Sequence, residues 1–486
     1  IIIDIIFAVL CTHFNVYSKA LNNVGRINKH GFSLIFENFF SKIKLKLPMF
    51  ETTHSMVCVH FFIDKKIGQS HSFTKFISFQ FSAPHYWKWV FVFQFFHRFT
   101  FTAMVVENHY PHLSELTSHQ KEKIAELRSK TKDILATYPE YDTDFSLLRW
   151  LMGWDYKIDA IIPKMKYAVE TLVNLGMNNH QTTSIQQINK DIKNMSAVAE
   201  YFPGGIMGQS KRGDVVYMQA MAKAHPKTLV KAGPTSQLFQ LCISETEMSF
   251  KIIRQTEEEK QRKMGVIIIM DLDGFNMDLL YTPTLKVYMS LLTMLQNIFP
   301  DFARRIFIIN CPTMMSAVYA MVSPVLSSQT REKVRFLDKD WKNHLIEEIG
   351  EENIFMHWGG NKKHEHPCGD IRMGGKVPES LWYNETHKLE GDRTKISISA
   401  RSKTEVKMYG ETGKHFHWLW RVSSGDIDFS IEKDGRVVWP VFRCLTEFHP
   451  EIGSYKIEEN GEYVFVFDNS HGKIFGKDVK YKIVLE

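Results

Sequence analysis

The chain lacks most of the marks of an enzyme. It has no GxSxG elbow, no GxGxxG follows a strand, and the basic stretch MGQSKRGD lacks the GxxxxGK[ST] spacing of a phosphate-binding loop. Cysteine is scarce: Cys11, Cys58, Cys242, Cys311, Cys368 and Cys444 lie far apart with no CxxC pair. That pattern excludes a disulfide framework and suits thiols used as small core residues in a reducing, cytoplasmic setting. No run of 18 or more apolar residues exists, so no membrane-spanning helix is expected. The opening IIIDIIFAVL is too short to span and lacks the basic flank of a signal peptide. Basic charge is also missing from most of the chain. The formal +6 sits in residues 1–103, where eleven basic side chains face four acidic ones, and the remainder is close to neutral. A nucleic-acid partner is therefore not expected.

The length of 486 residues suits two to four domains. Residues 1–103 form an atypical N-terminal segment that holds more than half of the 36 phenylalanines, without a clear period. Its aromatic, basic stretch VFVFQFFHRF reads either as a membrane-touching element or, preferably, as part of an artefactual extension upstream of a start at Met104.

Ordinary composition begins at Met104. Thr117 with Gln120 fits a capping box, and Ile124, Leu127, Ile134 and Leu135 follow on one helical face. Further helices are predicted over 145–154 and 158–175. Strands and helices then alternate. VVYMQAM is a strand, a long helix covers 236–262, and GVIIIMDLDG and RRIFIINCP are continuous apolar strands of the kind covered on both faces. A helix over 283–298 lies between them, an apolar helix over 313–323 follows, and KVRFL is a third short strand. Beyond a Gly-, Lys- and His-rich linker the period becomes two. ISISA, HFHWLWRV, DIDFSI, VVWPVF, EYVFVF and VKYKIVL, with turns such as KDG and ENG, predict a β-sandwich.

Two clusters of reactive side chains read as structure. Asp271 and Asp273 end a strand, where a hydrolase could keep its carboxylates, but no nucleophile or base motif accompanies them and a turn is the simpler reading. His357, His364, His366 and Cys368 carry metal-type groups at irregular spacing and read as a surface loop, so no metal is expected.

The order of segments resembles a known family. LLRWL (147–151), GVIIIMDLDG, FPDFARRIFIINCP, VSPVLSSQTREKVRFL and FMHWGG resemble the successive segments of CRAL-TRIO lipid-binding proteins. GEYVFVFDNS and VKYKIVL resemble a GOLD domain. The resemblance extends to the tocopherol-associated, phosphatidylinositol-transfer-like members. It implies an α/β CRAL-TRIO domain with an N-terminal helical subdomain, followed by an all-β GOLD sandwich. The divisions would be helices over 104–178, a lipid-binding domain over 179–365, a linker over 366–391 and the sandwich over 392–486. It also implies a gated apolar cavity lined by Tyr217, Val266, Ile268, Met270, Ile306, Ile308, Met315, Tyr319, Val322, Val334 and Phe336. The helix over 313–323 would be the gate.

Asp301 and Lys333 match part of the family's anionic-headgroup set, whereas Phe302 replaces a basic residue, as do Met152, Gly153 and Trp154. A phosphoinositide is thereby disfavoured against a more apolar ligand such as a tocopherol-like or isoprenoid molecule. The expected function is cofactor-free, non-enzymatic lipid carriage in the cytoplasm with transient membrane contact. The alternative is a lipid-responsive adaptor that binds a protein partner through its GOLD domain.

Overall fold

A computed structural model describes residues 50–53, 56–67 and 71–82 as strands. It also describes residues 107–486 apart from 182–183, 276, 313–318, 321, 387–388 and 390. The chain divides into two compact units, Ile1–Val106 and Glu107–Glu486. In the first, β1 (Phe50–Thr53), β2 (Met56–Ile67) and β3 (His71–Ser82) form an antiparallel sheet in that order. The aromatic stretch 90–99 lies outside the described residues.

The second unit opens with helices α1 (Ser118–Lys130), α2 (Asp144–Gly153), α3 (Ile158–Asn174) and α4 (Ile185–Asn194). The expected capping box starts α1: Thr117 Oγ1 accepts from Gln120 N at 3.2 Å and Gln120 Oε1 accepts from Thr117 N at 2.9 Å. Arg149 of the LLRWL segment is buried against Glu257 and donates to the Met264 carbonyl at 2.7 Å, which ties the helices to the domain behind them.

A five-stranded sheet follows, in the order β4 (Gly205–Gln209), β5 (Val215–Gln219), β6 (Val266–Asp271), β7 (Ala303–Ile309), β8 (Val334–Phe336). Only β4 runs antiparallel to its neighbour. Side chains alternate across the sheet. Val216, Met218, Ile267, Ile269, Phe307 and Ile309 face a core built with Trp341, Leu345 and Ile349 of α7 (Trp341–Ile349). The opposite side packs toward α5 (Thr235–Lys260) and α6 (Thr282–Ile298).

The C-terminal region consists of β9 (Thr394–Ile398), β10 (Lys403–Gly410), β11 (His415–Val422), β12 (Asp426–Lys433), β13 (Arg436–Leu445), β14 (Glu451–Lys456), β15 (Gly461–Asp468) and β16 (Lys477–Leu485). They make two antiparallel four-stranded sheets, β10-β15-β12-β13 and β14-β11-β16-β9. The period-two strands place Trp418, Trp420, Phe429, Phe465 and Phe467 between them, with Trp418 and Phe429 rings 5.7 Å apart and Trp420 and Phe467 rings 5.4 Å apart. The all-β sandwich expected from the alternation is therefore present.

The stretch 366–391 is more than a linker. Ile371, Arg372 and Val377 are buried, and Gly204 and Arg372 exchange backbone hydrogen bonds of 2.9 and 3.0 Å. Its Gly- and His-rich composition hides a strap that is also held by Gly375 N donating to the Lys223 carbonyl at 3.0 Å and Tyr383 N to the Lys231 carbonyl at 2.8 Å.

Candidate functional site

The middle of the sheet is covered unequally. On the back face of β6 and β7, Ile267, Ile269 and Ile309 are fully buried. On the inner face, Ile268 and Met270 of β6 and Ile306 of β7 remain half-buried although they lie on central strands. Apolar residues at such positions normally lose all contact with solvent when helices cover both faces of a sheet. Here α5 and α6 leave an accessible apolar stripe.

Register arranges that stripe in rungs. Tyr217, Ile268, Ile306 and Val334 align across four strands, and Gln219, Met270, Ile308 and Phe336 form the next rung. Val266 and Ile308 are buried, Val334 is half-buried and Phe336 is 44% exposed at the sheet edge. Tyr319 meets Phe336 of the last rung edge-on, their rings 5.3 Å apart. Val322 is half-buried beside it. Met315 and most of the expected gate lie outside the described residues.

Polar groups that no sequence motif marks border the stripe. Tyr217 Oη donates to Glu245 of α5 at 2.9 Å, and Arg372 grips the same carboxylate with two bonds of 2.9 and 3.0 Å. Burial, then Glu245, holds the Tyr217 hydroxyl neutral, well above its usual range. Tyr288 of α6 reaches the same neighbourhood, and burial together with nearby Cys242 raises its hydroxyl too. No local pattern identifies Arg372 as a partner of Glu245, because the two are far apart in sequence and meet only through the fold.

The structure brings Asp301 and Lys333 together, but with a third member. Asp301 accepts from Lys333 Nζ at 2.6 Å and from Lys263 Nζ at 2.6 Å, while His109 Nδ1 stands 3.8 Å away. Asp301 and Lys263 side chains are 0% exposed and Lys333 is 12% exposed. Burial by itself would raise the Asp301 carboxyl, but Lys263, His109 and Lys333 outweigh it and hold it well below the usual carboxylate range. The Tyr110 ring stands 4.6 Å from Lys263 Nζ. All three charged residues lie within three residues before the start of their strands, whereas Phe336, which Tyr319 meets, ends its strand. Seven residues of β7 put roughly 20 Å between the two ends.

Of the two carboxylates at the end of β6, Asp271 is buried and Asp273 is exposed. Asp271 accepts from Trp358 Nε1 at 2.9 Å, Asn310 Nδ2 at 2.8 Å and the Asp273 backbone N at 2.9 Å. Asp273 pairs with Lys223 at 3.3 Å. Of the histidine cluster, His364 pairs with Asp370 at 3.3 Å and His357 packs edge-on against Trp358. A separate small apolar cleft, open to solvent, lies at the α5 N-terminus between Phe202, Leu229, Leu238, Val287 and Phe448.

Comparison with known proteins places this geometry. Residues 199–360 match the family model of the CRAL/TRIO domain, which spans β4 to β8. The chain thus carries a CRAL/TRIO α/β domain, preceded by helices and followed by an all-β sandwich.

The chain is similar to Protein ctg-1 of Caenorhabditis elegans, 21% identical over 374 residues, covering 73% of this chain and 95% of that protein. It is also similar to Protein real-time of Drosophila melanogaster, 25% identical over 306 residues, covering 62% of this chain and 44% of that protein. The chain therefore spans under half of the latter's length. A crystal structure of Sfh5 aligns at 12% identity with a TM-score of 0.38, covering 56% of this chain and 93% of that one.

Proposed function

We propose that this protein binds a hydrophobic lipid on the inner face of the β5–β8 sheet, with the segment 313–323 as its gate, and carries it between membranes. The supporting observation is the accessible apolar stripe Ile268–Ile306–Met270 on central strands whose other face is sealed. An apolar wall there replaces the hydrocarbon that an acyl or isoprenoid chain leaves in the bilayer and so offsets the ~0.8 kcal/mol per CH₂ that exposure to water would cost. Glu245 is already satisfied by Tyr217 and Arg372, and Lys333 by Asp301, so the wall offers few free charges. That favours a neutral lipid with one small polar group. The sandwich is read as a GOLD domain, and its place in the cell as cytoplasmic with transient membrane contact.

The test is Ile268→Trp. An indole at this half-buried position occupies the space meant for lipid while leaving the sealed face untouched. Lipid uptake is expected to fall at least ~10-fold with an unchanged melting temperature, the effect of leaving about two methylenes of the lipid in water. Normal uptake by the folded variant refutes the site. Labelled-lipid exchange between vesicles by the wild-type chain separates carriage from a lipid-reporting adaptor, which would bind but not transfer.

A further inference from the structure

We infer that the β15–β16 loop of the sandwich is a membrane-inserting wedge for anionic bilayers. Ile474 and Phe475 are adjacent in sequence and each is 78% exposed, the highest values among the large apolar side chains described. Leaving two such groups in water is unfavourable, and a scattered surface residue does not explain a paired tip.

The tip is rigidly built. Asn469 Nδ2 donates to the Ser399 carbonyl at 3.1 Å and to the Phe475 carbonyl at 3.2 Å. Arg401 N donates to the Asn469 and Gly472 carbonyls, both at 3.1 Å, which locks the β9–β10 turn to the loop. Gly472 is required there, since a Cβ would lie 2.4 Å from Asn469 Oδ1. The two apolar side chains are therefore presented outward with little ordering left to be done on binding.

Charge at the tip points to the occupant. Lys473 and Arg401 flank the pair, both exposed and without a carboxylate partner among the described residues. The acids behind them are occupied: Asp428 by His471 at 3.2 Å, and Asp426 by Arg443 at 3.0 Å and Lys477 at 3.6 Å. Two apolar side chains on a narrow tip fall far short of the ~800 Å² per partner typical of a stable protein interface. Hydrocarbon needs no matching shape, and anionic headgroups attract the flanking cations. The wedge belongs to the sandwich, so it stands or falls independently of the proposed lipid cavity.

The full chain is sedimented with phosphatidylcholine vesicles, with or without phosphatidylserine. The double variant Ile474→Asp/Phe475→Asp is expected to lose at least ~10-fold in affinity for both vesicle types, as burial of two large apolar groups implies. Lys473→Glu should weaken binding to the anionic vesicles only, and Ile474→Trp should strengthen binding to both. All three positions are exposed, so melting temperatures should match wild type. Wild-type affinity in the folded double variant overturns the wedge. So does a folded double variant that still binds vesicles but loses binding to a protein partner, which would make the loop a protein-docking site instead.

Discussion

Asp301→Asn is expected to cost ~3–5 kcal/mol of stability, the usual effect of removing one member of a buried ion pair. The reason is electrostatic. Asp301 is the anion for two ammonium groups, one of them 0% exposed, and without it both stand near each other in a poorly solvated site. Asparagine keeps the backbone intact, because residue 301 sits at φ 49 and Asn tolerates that left-handed region. The unfolding midpoint should fall by roughly 10 °C. The folded carboxyl is depressed, so its contribution is present above the unfolded value of about 4 and is lost as pH falls below it. The variant should lack that part of the acid sensitivity. A near-neutral Asp301→Asn would show that the lysines find other partners. Lys333→Ala completes the comparison. With its ammonium committed to Asp301, affinities for anionic and neutral lipids should shift together, and a loss confined to anionic lipid would put Lys333 at the ligand.

Much of this fold is legible in the sequence because burial on two faces leaves a simple trace. VIIIM (266–270) and IFII (306–309) are apolar throughout, and their alternation places Ile268 and Ile306 on one rung, opposite Ile267 and Phe307. The sandwich is legible for the complementary reason, since each strand has one wet face. Elements of weak pattern escape. Strand β4 is GIMGQ, short and with two glycines, and α4 is IQQINKDIKN, mostly polar with Ile188 and Ile192 turned inward.

The charged groups escape for another reason. Glu245, Arg372 and Lys263 look like ordinary surface residues in a linear reading, and only tertiary packing removes them from water. Lys263 reads as the end of the helix's charged run EEEKQRK, yet it lies beside Asp301. Ile474 and Phe475 escape in reverse: an apolar pair between glycines has no period, and only the fold exposes it.

Glu451→Gln should stabilise the protein above neutrality and do nothing near pH 4. Glu451 lies on β14, buried where the sandwich meets the first turn of α5, and its Oε1 accepts from Ser236 Oγ. Thr235 Oγ1 donates to the Leu445 carbonyl at 3.0 Å beside it, so this is a main seam between the two domains. A helix N-terminus favours an anion, but only within its first turn and by roughly 0.3–1 kcal/mol at an ordinary site. Burial is the larger effect here, and Glu451 Oε2 has no hydrogen-bond partner. Burial lifts the carboxyl from 4.5 to about 7, against the opposing bonds from Ser236 and Cys444.

Between those values the folded chain holds a proton that the unfolded chain has released, so stability falls as pH rises from about 4.5 to 7. Above that range the ionised residue costs about 3 kcal/mol, from roughly 2.5 pKa units at 1.36 kcal/mol each. Glutamine carries the protonated form's shape at every pH. Melting curves of wild type and variant should therefore diverge by up to about 3 kcal/mol at pH 8 and converge near pH 4, below the unfolded value. A variant less stable at both pH values would mean that α5 holds Glu451 as an anion, and that the seam depends on its charge.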